Sequence, residues 1–118
     1  MFFKGIESQI TGARAWTEDD TKLYTDLTEE EQKTVLHWIR WNVERRGTVN
    51  KRHTSYGMKH ILQKDTKIYM TNNQFKDAML ECGYFPDDMT QLNWHYKVSE
   101  NSPCFTGKGG TYDERGTK

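Results

Sequence analysis

The chain has little of what most functional classes require. Two cysteines, Cys82 and Cys104, are too few for a disulfide framework. They read as reduced thiols of an intracellular protein. No apolar run approaches the roughly 18 to 20 residues that cross a bilayer. Met1-Phe2-Phe3-Lys4 is too short for a signal peptide and meets a charge at once, so a cytoplasmic location without membrane contact is expected. No CxxC pair occurs, and His37, His53, His60 and His95 lack ligand spacing, which argues against metal. No GxGxxG, GxxxxGK[ST] or GxSxG motif is present, so neither a nucleotide cofactor nor a serine nucleophile is indicated. None of the four histidines has a carboxylate at a telling spacing, and an enzyme is not expected.

Aliphatic residues are also scarce. Ile, Leu, Val and Phe number 20 of 118 residues. Such a level accompanies disorder when net charge is large. Here the net charge is zero, with 17 cations and 17 acids. The chain instead holds four Trp and six Tyr, and aromatics bury much area per residue. One small domain with an aromatic core follows.

Helices are well marked. Thr28 followed by Glu31 forms a capping box, and Val35, Leu36, Ile39 and Val43 share one face, so a helix is expected over about 28–46 with Gly47 as its stop. A second is expected over 54–65 with Met58, Ile61 and Leu62 as its stripe. A third is expected over 71–82, where Thr71 and Gln74 make another capping box. There Phe75, Ala78, Met79 and Cys82 recur at helical spacing before Gly83. Lys67-Ile-Tyr-Met70 reads as a short strand. Leu92, Trp94, Tyr96 and Val98 alternate with Asn93, His95 and Lys97, as a half-buried strand would. The expected fold is α+β and mostly helical: a three-helix, helix-turn-helix-like core with a small β-hairpin, winged-helix-like. Residues 1–27 form an acidic arm, partly ordered, in which Leu23, Tyr24 and Leu27 dock on the core. Residues 28–98 form the core and 99–118 a polar, mobile tail.

Charge is unevenly spread. Residues 1–31 hold three cations against eight acids, whereas residues 40–64 hold seven cations against Glu44 alone. The basic segment is the pattern of a phosphate footprint. Arg45, Arg46, Lys51, Arg52 and Lys59 are expected on one cationic surface, with His53 adding a donor. At the start of the third helix, Asn72, Asn73 and Lys76 are placed to read bases, as a recognition helix does. Trp38 and Trp94 read as core, Trp41 and Tyr69 as exposed.

The run Thr54-Ser-Tyr-Gly-Met-Lys-His60, the stretch from Tyr69 to Leu80, the pair Gly83-Tyr84 and Leu92-Asn-Trp-His-Tyr96 resemble small uncharacterised proteins carried by phages and conjugative elements of Gram-positive bacteria. The resemblance spans roughly residues 28–105. It implies a mobile-element origin and transfers no catalytic residue. Proteins in that setting often act as DNA-binding regulators, or as inhibitors of a host machine such as a CRISPR nuclease, a restriction enzyme or a polymerase. Two functions are therefore expected. The first is non-catalytic binding of nucleic acid, or of a nucleic-acid-bound host complex, through the basic segment. The alternative is an anti-CRISPR or similar anti-defence inhibitor that binds protein. The oligomeric state is open, a homodimer included.

Overall fold

The structure, a computed structural model, describes residues 8–11 and 21–107. A 3-10 turn at Tyr24–Asp26 leads into α1 (Glu29–Asn42), α2 (Ser55–Thr66), α3 (Asn72–Glu81) and the one-turn α4 (Pro103–Thr106).

Each long helix begins where its cap lies. The Thr28 hydroxyl accepts from the Glu31 amide at 3.0 Å, and the Glu31 carboxylate accepts from the Thr28 amide at 2.9 Å. The box is completed by three acids in the first turn, which suit the positive end of the helix dipole. Thr54 caps α2 through the Gly57 amide. Thr71 and Gln74 repeat the reciprocal box at α3. Gly83, at φ +87°, supplies the left-handed turn after α3.

α1, α2 and α3 pack against one another. α1 buries Val35, Trp38 and Ile39, and the Trp38 indole donates to Asp65 at the far end of α2, 2.8 Å away. The expected stripe on α3 understates its burial. Every residue from Asn73 to Leu80 is buried, so α3 is the central element and has no exposed face. Tyr24 and Leu27 dock on it from the amino-terminal side, as their sequence pattern indicated.

The winged-helix-like α+β expectation is overturned. The described part is helical, with no strand or sheet and one isolated antiparallel bridge, Arg45 to Val98. Lys67 takes a left-handed φ of 66° and closes α2, so Lys67–Met70 is a connection rather than a strand. The 94–99 segment does run antiparallel to 44–55. Main-chain bonds join Ser99 to Glu44, Arg46 to Lys97, Asn50 to Tyr96 and Ser55 to Trp94. From Arg46 to Ser55 the chain advances nine residues, while Lys97 to Trp94 covers three. A ladder needs one-for-one pairing, and the six surplus residues loop out. The alternation survives without a sheet: Trp94, Tyr96 and Val98 are buried at 1% exposure or less.

The chain beyond Ser99, read from sequence as tail, contributes to the fold up to Gly107. The Ser102 hydroxyl accepts from the Glu44 amide, and Cys104 of α4 is buried. Residues 1–7, 12–20 and 108–118, which include most of the acidic arm and the end of the expected tail, lie outside the described residues.

The Phe75 ring is fully buried at the centre of α3. Phe75→Ala should lower stability by about 3–5 kcal/mol in a denaturant titration. A loss below about 1 kcal/mol would contradict the central position of α3.

Candidate functional site: two grooves on either side of an extended segment

Arg45, Arg46, Lys51, Arg52 and Lys59 of the basic segment are each engaged by contacts within the protein. Arg45 donates from Nη2 to the Cys82 carbonyl at 2.9 Å and from Nη1 to the Gly83 carbonyl at 3.2 Å, closing the carboxyl end of α3. Its guanidinium lies 4.0 Å from the centre of the Tyr84 ring. Arg46 donates to the Thr48 and Val49 carbonyls and shapes the looped-out segment. Lys51 pairs with Asp87 at 3.2 Å. Arg52 and His53 both meet Glu100, at 3.6 and 3.2 Å, and the His53 ring stacks on Phe105 at 3.6 Å.

Of the polar residues assigned to base reading, Asn73 and Lys76 are buried. The Lys76 ammonium sits 4.7 Å over the Trp94 ring. Asn72 is partly buried and donates to Asn93 and to the Leu92 carbonyl. Lys59 is buried too, its ammonium near Gln63 and over the Tyr56 ring.

The structure thus divides the expected surface among three places. Arg45 and Arg46 reach one groove of about 530 Å³, the arginine groove, which Lys97 and Phe85 also line. Lys59 and Asn72 reach a second of about 570 Å³, the tyrosine groove, bordered by Tyr56, Tyr69, His60 and Asn93. Arg52 and His53 belong to the cluster around Glu100 beside α4. Within the 46–55 loop, Arg52 turns to Glu100, whereas Lys51 stays at the edge of the arginine groove through its pair with the lining residue Asp87.

Sequence reasoning missed Lys97, Phe85, Tyr56 and Asn93 as site residues. A signal for two of them existed. In the alternating segment, Asn93, His95 and Lys97 occupy the outward positions opposite Trp94, Tyr96 and Val98. Asn93 borders the tyrosine groove and Lys97 the arginine groove.

Neither thiol is activated. Burial pushes the Cys104 thiol up to about 12, and raises that of Cys82. Among the described residues, no three His, Cys, Asp or Glu side chains converge as a metal site. No described helix is long and apolar enough to cross a membrane. What the two grooves offer is cations, amides and aromatic faces. Comparison of the chain with family models, with curated proteins and with solved structures finds no match.

Two consequences are measurable. A Cβ at Gly83 would stand 3.1 Å from Arg45 Nη2, and the left-handed φ strains any other residue. Gly83→Ala should therefore cost about 1–2 kcal/mol, and thermal melting should show it. The Glu100 carboxyl is held below the ordinary carboxylate range, first by the Asn50 amide and then by His53 and Arg52. A depressed folded-state pKa gives stability that is present above the unfolded-state value and lost as pH falls through the folded one. Urea midpoints should accordingly decline below about pH 4.3 more steeply in the native protein than in Glu100→Gln. Parallel curves would show that Glu100 contributes nothing there.

Proposed function

We propose that this is a small, non-catalytic nucleic-acid-binding protein of phage or mobile-element origin, which meets backbone phosphates at the arginine groove. One observation carries this reading. Arg45, Arg46 and Lys97 come from two chain segments to a groove whose lining acid, Asp87, is paired with Lys51. Each guanidinium has five N–H donors, and two on each are bonded to main-chain oxygens. Those bonds fix the fork in place, which is the preorganisation that phosphate recognition needs. Phe85, 58% exposed, adds an aromatic face beside the cations. Base reading by α3 has no part in this, since that helix is interior.

Binding is tested by fluorescence anisotropy with labelled oligonucleotides at 50 and 150 mM salt. Arg46→Glu and Lys97→Glu should each weaken binding at least tenfold. Each should also reduce the salt slope by about 0.7–0.9. Absence of binding at 50 mM salt and tens of micromolar protein would overturn the reading.

A second reading has its own observation. Trp41 on α1 is 69% exposed beside His37, and neither residue lines either groove. Exposed aromatics of this kind anchor protein interfaces. A protein-binding inhibitor of a host or defence complex would show no affinity for bare nucleic acid. It would lose its target on Trp41→Ala.

A further inference from the structure

We infer that the tyrosine groove receives an unstacked base, so that the protein's ligand is a single strand rather than a duplex. The inference rests on the nucleic-acid reading above and adds the form of the ligand.

The groove's size lies within the range of sites for small organic groups. Tyr69 is 77% exposed and Tyr56 51%, both at its edge. Tyr56 is held in place: the His60 ring meets it edge-on at 4.5 Å, and the Lys59 ammonium lies 5.1 Å from its centre. Tyr69 follows the left-handed turn at Lys67 and presents the more open ring. Base–aromatic stacking of this kind tolerates any sequence, because every base has a π face.

Charge agrees with a polyanion. The groove is bordered by Lys22, Lys59 and His60 and by no carboxylate. Its polar floor is an amide pair. Asn72 Nδ2 donates to the Leu92 carbonyl at 3.3 Å, which identifies it as the nitrogen, and to Asn93 Oδ1 at 3.0 Å. Asn72 Oδ1 is buried and meets no donor among the described residues.

Geometry joins this groove to the phosphate site. Asn93 and Lys97 lie four residues apart on one outward row, about 13 Å in extended chain. His95 stands between them. A strand whose phosphates meet Lys97 and Arg46 can therefore lay a neighbouring base against Tyr69. A duplex keeps its bases stacked and paired inside, and extruding one costs unstacking and unpairing energy.

The test uses the full chain, a labelled 12-nucleotide single strand and its blunt duplex, read by anisotropy at 50 mM salt. The single strand should bind at least tenfold more tightly than the duplex. Tyr69→Ala should weaken single-strand binding about 5- to 100-fold and leave duplex binding within twofold, while Tyr69→Phe retains affinity. Tyr69 is exposed, so its variants should melt like the native protein. Three outcomes overturn the inference while the phosphate reading stands: equal affinity for both forms, equal weakening of both by Tyr69→Ala, or no effect of Tyr69→Ala when Lys97→Glu still weakens binding. Binding of neither form overturns both readings together.

Discussion

A helix buried on every side must satisfy its own polar groups, and α3 holds a glutamine, a lysine and an aspartate among its buried residues. Left unpartnered in the interior, each would cost several kcal/mol. The rest of the chain is arranged to meet them. Gln74 caps its own helix and donates to the Leu23 carbonyl, tying the amino-terminal turn to the core. Asp77 accepts from the Ser8 hydroxyl at 2.5 Å, which docks residues 8–11. Burial nevertheless raises the Asp77 carboxyl above its usual range, and the Ser8 and Gln9 bonds only moderate the effect. Lys76 has the Trp94 ring beneath its ammonium. A chain with few aliphatic residues thus builds its interior from aromatics and from polar side chains, of which Gln74 and Asp77 are hydrogen-bonded to other parts of the chain.

The same constraint decides where a ligand can bind. α3 is enclosed by α1, α2, the 3-10 turn and the 94–98 segment, so it cannot enter a groove of DNA. Binding must use what the enclosing elements present outward. The 94–98 segment fills the core with Trp94, Tyr96 and Val98 while its other side turns to solvent between the two grooves. Its main-chain bonds to Arg46, Asn50 and Ser55 set both the position of the grooves and the distance between them.

Much of this was legible in the sequence. The capping boxes at Thr28 and Thr71 located two helix starts, Gly83 a helix end, and Trp38 and Trp94 the core, with Trp41 and Tyr69 outside it. The wing was not legible, because alternation reports which side chains are buried and not whether the backbone is paired. α1 stops at Asn42 rather than near Arg46, since Val43 and the residues after it leave the helix to run beside Val98. The shared cationic surface failed to appear for a related reason. A count of Lys and Arg along the chain cannot show that Arg45 caps a helix 37 residues away, or that Lys51 and Arg52 meet Asp87 and Glu100. Those partners are set by tertiary structure alone.

The claim that the outward row from Asn93 to Lys97 is the binding face, and α3 only its support, is tested most directly by nuclear magnetic resonance. Backbone amide shifts would be followed during titration with a short single-stranded oligonucleotide. The account predicts the largest changes at Tyr69, Phe85, Asn93, His95 and Lys97, with the amides of residues 75–80 nearly unmoved. Changes concentrated on the exposed side of α1 around His37 and Trp41, with none along 93–97, would contradict it.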